Sequence, residues 1–313
     1  ENTKVIVNDM LMCNYYSYLC FFGSENVDKD KIKTIIEYYN NLNPTEDNYF
    51  SDSFSETFFN KKNCLKIGEI RDDIEKKYTS KTINKREYAI LVTSLIYAMD
   101  KIANTVGHYD AYRANGDLSK ELILEEPDLI EESININNEI YNTDSNQLVD
   151  SIYADVVYID QPYNSRQYCD AYHLLENVAR WEKPNVYGMA RKMDRTSLKS
   201  KYCSKTAPNV FDELIKKIKA KYIIVSYNNT GINGAGRSQA KITDEDILAS
   251  LRSRGTVEIF EVEHAQFTTG KSHFEEHKER LFVCKINEKN NDANVKNEWS
   301  EGLVKCPFTS TGG

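Results

Sequence analysis

Short apolar runs alternate along this chain with stretches in which apolar residues recur every three or four positions. Residues 3–7 alternate β-branched side chains and end at Asn8 and Asp9; residues 139–142 lead into Thr143 and Asp144. Residues 155–159 form an apolar run that stops at Asp160, and residues 221–226 another that stops at Asn228. Residues 256–262 and 280–286 complete the set. Such runs, bounded by polar turns, predict six strands, and continuous apolar character suits strands covered on both faces of a parallel sheet. The last two, joined by a polar loop with no helical period, are expected to form an antiparallel pair at one edge. Helical spacing fills the gaps. Residues 207–220 place Phe211, Leu214, Ile215 and Ile218 on one stripe, and residues 243–254 open with a Thr-x-x-Asp cap and close at Gly255.

Between the first two strands lies an insertion, residues 28–135, with Tyr88, Leu91, Val92, Leu95, Ile96 and Met99 at helical spacing. A crossover between parallel strands needs only about a dozen residues, so this one predicts a separate helical lobe. Residues 287–297, polar and rich in asparagine, read as a linker, and no internal repeat is found.

Composition is that of an ordinary folded protein: 40% hydrophobic and 28% charged residues over 313 positions. The longest apolar stretch, residues 88–99, is too short to span a bilayer, and no basic-then-apolar leader opens the chain. The chain does not begin with methionine, so its start is expected to lie elsewhere. Seven dispersed cysteines without a Cys-x-x-Cys pair argue for reduced thiols in a cytoplasmic protein rather than disulfides or zinc. His273 and His277 lack a third ligand and read as loop histidines, and the glycine-rich stretch 228–236 lacks phosphate-loop order. No metal is expected. The net charge of −8 weighs against a nucleic-acid partner, but phosphate contacts are local. Eight basic residues fall within 180–205 (Arg180, Lys183, Arg191, Lys192, Arg195, Lys199, Lys201, Lys205) against Glu182 and Asp194. That run is either a solvated loop or a phosphate-binding surface.

The most informative segment is Asp160-Gln161-Pro162-Tyr163, continuing through Asn164, Ser165 and Arg166 to Tyr168. An acid at a strand end, a proline-stiffened turn and an aromatic suit methylation of the exocyclic amine of adenine. That lone pair is delocalised into the ring, and two acceptors for the N–H hydrogens localise it. The Asp160 carboxylate supplies one, and the Gln161 backbone carbonyl the other. Tyr163 would stack on the base, worth about 1–3 kcal/mol, against the few kcal/mol that unstacking costs.

This segment resembles the Asp-Pro-Pro-Tyr motif of the Dam-like, FokI-type DNA adenine-N6 methyltransferases. The resemblance continues through Tyr172-His173-Leu174-Leu175-Glu176-Asn177, Ser226-Tyr227-Asn228-Asn229, and the stretch from Thr105 to Tyr112, and covers most of residues 4–286. Gln161 departs from the pattern, which has proline there; the backbone acceptor survives, some rigidity is lost, and an extra N–H needs a partner. The resemblance implies an α/β fold with a Rossmann-like methyltransferase sheet, mostly parallel with an antiparallel edge pair, plus a helical insertion lobe. It implies S-adenosylmethionine as cofactor, with Asp9 on its ribose hydroxyls and Asp144 at its adenine. For each of these acids the alternative is a helix N-cap.

Arg166, Arg191, Lys192 and Arg195 are the candidate contacts to double-stranded DNA, and a cognate restriction endonuclease is the implied partner system. Residues 1–27 with 136–286 would form an incomplete catalytic domain and 28–135 the target-recognition lobe. Within 287–313, the end from Val304 to Gly313 resembles the family's Gly-Gly-Lys-like segment. The family's Phe-x-Gly-x-Gly-like cofactor loop is not found, so the chain is expected to be a fragment of a tandem enzyme or a permuted form. An RNA adenine methyltransferase and a non-catalytic DNA-binding remnant are the other readings.

Overall fold

A computed structural model describes residues 3–130, 134–228, 240–263 and 278–287. The glycine-rich stretch 229–236, His273, His277, most of the 287–297 linker and the segment 304–313 lie outside the described residues.

All six expected strands form. They are β1 (Ile6–Asn8), β2 (Glu139–Tyr141), β3 (Ala154–Ile159), β4 (Ala220–Asn228), β5 (Gly255–Glu263) and β6 (Lys278–Ile286). β1 and β2 pair in parallel, with Val7 opposite Ile140. A second sheet has the order β3-β4-β6-β5, parallel between β3 and β4 and antiparallel at both later ladders. The fold is therefore mixed α/β, and the edge pair β5–β6 is antiparallel as its connecting sequence suggests. β5 starts at Gly255 because any Cβ there would stand 1.9 Å from the Lys285 carbonyl oxygen.

β3 departs from the expectation of a strand covered on both sides. Its inner edge pairs with β4, while Val156 and Tyr158 are 51% and 59% exposed. Among the described residues neither β1 nor β3 has a strand on its other edge.

The helices are α1 (Met12–Phe22), α2 (Lys29–Asn41), α3 (Tyr49–Phe54), α4 (Lys61–Thr79), α5 (Lys85–Ile102), α6 (Ser145–Leu148), α7 (Tyr168–Ala171), α8 (His173–Arg180), α9 (Ala207–Lys217) and α10 (Asp244–Arg252). α9 ends three residues short of the predicted stripe because Ala220 is already hydrogen-bonded into β4. α10 carries the expected capping box between Thr243 and Asp246.

Apolar burial divides into two cores. One lies between the second sheet, α9 and α10, around Ile159, Phe211, Ile223, Val225 and Phe282. The other is helical and holds Phe50, Phe54, Ile67, Leu91, Val92 and Leu95 together with Cys20 of α1 and Leu174 and Val178 of α8. The insertion is thus not a lobe with its own core, as its length suggests. It shares one core with the helix after β1 and the helix after the Asp160 turn. Two fully buried guanidinium groups fasten this arrangement. Arg71 on α4 donates to the carbonyls of Val178 (2.7 Å) and Ala179 (3.1 Å) at the end of α8, and Arg86 on α5 donates to Glu25 (3.0 Å) and to Cys20 at the end of α1 (3.3 Å). Both satisfy carbonyls that a helix end or turn leaves open.

Candidate active site

Asp160 is exposed at the carboxyl end of β3, where ligand sites of parallel sheets form. The turn after it is braced by Tyr227 of β4. The Tyr227 hydroxyl donates to the Tyr163 carbonyl at 3.1 Å, the Lys241 N–H donates to the same oxygen at 2.7 Å, and the two tyrosine rings meet edge-on at 6.3 Å. Gln161 is 8% exposed, and neither its side-chain oxygen nor its nitrogen has a hydrogen-bond partner among the described residues. The substitution at the proline position therefore leaves a buried amide unsatisfied there, which costs about 1–3 kcal/mol.

Aromatic side chains surround this turn. Tyr168 and Tyr172, both exposed, meet edge-on at 6.0 Å. Burial, together with the charges of Tyr163 and Asp160, pushes the Tyr168 hydroxyl up to about 12. Tyr18 on α1 is raised by burial first, then by the carboxylates of both Asp9 and Asp160. Tyr18 thus lies within electrostatic reach of both strand-end acids. Tyr168 closes the segment that the sequence singles out, whereas nothing in the sequence marks Tyr18.

Asp9 and Asp144 follow the adjacent strands β1 and β2, and the Asp9 N–H donates to the Tyr141 carbonyl. Asp9 Oδ1 accepts from the Leu11 N–H (2.7 Å) and Oδ2 from Asn14 Nδ2 (2.8 Å). Burial pushes its carboxyl above the usual carboxylate range, opposed by these two bonds. Asp144 caps α6 through the Asn146 N–H at 2.8 Å and borders a cavity of about 310 Å³ whose walls include Lys201, Glu213 and Lys217. Asp144 thus makes the capping bond of the alternative reading, whereas Asp9 closes a turn just ahead of α1, whose N-cap is Leu11. A carboxylate has about four acceptor sites, so a cap does not exhaust it. They stand at the carboxyl ends of neighbouring parallel strands, and no described glycine-rich turn lies beside them.

The basic run splits in two. Arg180, Lys183, Lys192 and Arg195 are held by internal acids: Glu176 (2.6 Å), Asp72 (2.6 Å), Asp110 and Asp170 (2.7 Å) respectively. Arg191, Lys199, Lys201 and Lys205 are exposed and enter no ion pair among the described residues. Arg191 and Gly188 both have positive φ, 52° and 70°, in a hairpin closed by the Tyr187–Lys192 bridge. Its tip presents Tyr187 and Met189, 66% and 84% exposed. Arg166 is exposed on the turn itself, and its carbonyl accepts from Cys203 Sγ at 3.3 Å.

The described cysteines, Cys13, Cys20, Cys64, Cys169, Cys203 and Cys284, are buried and free. Among the described residues no helix is long and apolar enough to cross a membrane, and no cluster of three metal-ligating side chains occurs. His173, fully buried, has its Nε2 2.8 Å from the Tyr109 carbonyl, which assigns the proton to that nitrogen. Burial lowers it to about 4. Between that value and the unfolded value near 6.5, the unfolded chain binds a proton that the folded chain refuses. Stability should therefore fall as pH drops from about 6.5 to about 4, by about 3 kcal/mol from this group. Urea titrations across that range should show the slope, and His173→Leu should flatten it.

Comparison with known proteins bears on the turn and its surroundings. The family model for D12 class N6 adenine-specific DNA methyltransferases matches residues 1–232. The chain belongs to this family. It is 34% identical over 281 residues to the modification methylase StsI of Streptococcus sanguinis, covering 84% of this chain and 41% of that one. It is 33% identical over 216 residues to the type II methyltransferase M.FokI of Planomicrobium okeanokoites, covering 69% and 32%. To M.NlaIII of Neisseria lactamica it is 31% identical over 285 residues, covering 88% and 80%. No solved structure matches. The chain spans about two fifths of the StsI methylase and a third of M.FokI. Within this D12 methyltransferase the Asp160 turn, Asp9 and the shared helical core all fall inside the matched span.

Proposed function

We propose that this D12 methyltransferase transfers a methyl group from S-adenosylmethionine to adenine N6 in duplex DNA, as the modification activity of a restriction-modification system. The observation that carries the reading is the Asp160–Tyr163 turn at the carboxyl end of parallel strand β3, braced from β4 by Tyr227. Asp160 and the Gln161 carbonyl would accept the two N6 hydrogens, localising the lone pair, and Tyr163, held from behind by Tyr227, would stack on the base. Asp9 would hold the ribose hydroxyls of the cofactor and Asp144 its adenine; the cofactor supplies the methyl group.

Residues 1–27 and 136–286 would carry catalysis, and 28–135 would contribute to target recognition. Among the described residues β1 and β3 each have an unpaired edge, to which a further parallel strand carrying the glycine-rich cofactor loop would add. The names of the relatives, a modification methylase and type II methyltransferases, favour a paired endonuclease as the biological partner. Incubating the complete enzyme with labelled S-adenosylmethionine and, separately, duplex DNA and RNA tests the reading. Label on adenine N6 of duplex DNA alone is expected; label on RNA alone, or on neither, would overturn it.

The DNA face should be read by the unpaired cations. Replacing Arg191, Lys199, Lys201 and Lys205 together with alanine should weaken DNA binding about equally for all sequences. It should also reduce the slope of log K against log salt by about 3 to 4, since each phosphate contact contributes about 0.9. Adding Lys192 and Arg195 to the set would also break the ties to Asp110 and Asp170, so loss of folding would confuse the measurement.

A further inference from the structure

We infer that Glu176 is a positioning residue for the cofactor side of the site: it caps helix α1 from across the molecule and so leaves the Asp9 carboxylate available to a ligand. The inference rests on the assignment of Asp9 to the cofactor ribose.

The first turn of a helix presents backbone N–H groups that need acceptors, usually from a Ser, Thr, Asp or Asn at its start. α1 begins Leu11-Met12-Cys13, with no capping side chain at its N-cap and no acid in its first turn. Its donors are nevertheless occupied. The Met12 N–H donates to Glu176 Oε1 and the Cys13 N–H to Glu176 Oε2, both at 3.0 Å. Glu176 lies on α8, which follows the Asp160 turn, and its side chain is fully buried. Arg180 Nε at 2.6 Å and the positive end of α1 compensate its charge. The Leu11 N–H, the donor nearest the strand, goes to Asp9.

Two carboxylates therefore divide one helix start. Asp9 serves a single backbone N–H and Asn14, and Glu176 serves the two N–H groups that follow. Asp9 is also the nearest local acid. Without Glu176, the Met12 and Cys13 donors would be left buried and unpaired, and Asp9 would be the side chain best placed to turn inward and serve them. Its outward lone pairs would then be lost to a diol. The like charge of Glu176 adds to the burial that raises Asp9, so the two groups already sense one another.

The test compares Glu176→Gln with Asp9→Ala in the complete enzyme. The amide keeps the size of the side chain and one acceptor, but turns an N–H₂ toward a backbone N–H. S-adenosylmethionine binding is measured by calorimetry, and kcat and both KM values by methylation of duplex DNA. Thermal melts establish that each variant is folded at the assay temperature. For Glu176→Gln we expect the cofactor Kd and KM to rise about tenfold or more. The kcat at saturating cofactor and the KM for DNA should stay within about twofold. Should the glutamine variant fail to fold, Glu176→Asp, which withdraws the charge by one methylene, takes the same measurements with the same expected split. An unchanged cofactor Kd in a folded Glu176 variant, beside a weakened Asp9→Ala, overturns the positioning role. So does a uniform loss in kcat and both KM values, which would mark Glu176 as purely structural. Asp9→Ala with an unchanged Kd would instead remove the assignment of Asp9 itself.

Discussion

Asp160→Ala in the complete enzyme is expected to abolish methyl transfer while leaving cofactor affinity nearly unchanged. Asp160 is exposed at the strand end, and the core of the second sheet does not include it, so its removal opens no cavity. What it removes is the charged acceptor for one N6 hydrogen. A hydrogen bond to a charged group is worth about 1.5–3 kcal/mol, which alone amounts to at least a tenfold loss in rate. The loss should exceed that, because the Gln161 carbonyl then polarises the amine from one side only. Single-turnover methylation separates this from DNA binding, which should persist. A variant with parental single-turnover rates would sink the role assigned to Asp160.

The second large effect concerns the open strand edges. A polypeptide of residues 1–313 is expected to bind S-adenosylmethionine weakly or not at all, and to methylate nothing. Val156 and Tyr158 are exposed on one face of β3, which a further packed helix would cover, and among the described residues β1 and β3 are each paired on one side only. In the proposed roles Asp9 and Asp144 would address the adenosine end of the cofactor, and no described glycine-rich turn would reach its methionine end. Supplying roughly 40–60 additional residues with the Gly-Gly-Lys-like and Phe-x-Gly-x-Gly-like motifs, about one strand–loop–helix unit, should restore binding. It should also raise stability by covering apolar surface. Calorimetric titration of the two polypeptides decides the matter. Tight binding by residues 1–313 alone would show that the site needs no further strand.

The sequence by itself determined where the strands lie, and it singled out the turn. Alternating or continuous apolar runs with polar stops place each of the six strands to within three residues, because burial of strand faces demands that pattern. The Asp-x-Pro-Tyr turn was legible because it is contiguous: acid, backbone acceptor and aromatic are consecutive residues, and their chemistry does not depend on anything distant. The same holds for the Thr243–Asp246 cap of α10.

What only the tertiary structure decided is everything that depends on residues far apart in sequence. The insertion reads as a lobe because loop length is visible and packing partners are not; in space it shares its core with α1 and α8. The basic run reads as one surface because charge is visible and ion pairing is not; in space four cations are spent on Glu176, Asp72, Asp110 and Asp170. Glu176 itself stands in the sequence only as one member of the segment from Tyr172 to Asn177. Its partners lie 163 and 164 positions away, and they are backbone N–H groups, which leave no mark in the sequence. Local periodicity records which face a residue turns to the core, while the identity of what meets it there is set by chain topology, to which a linear pattern is blind.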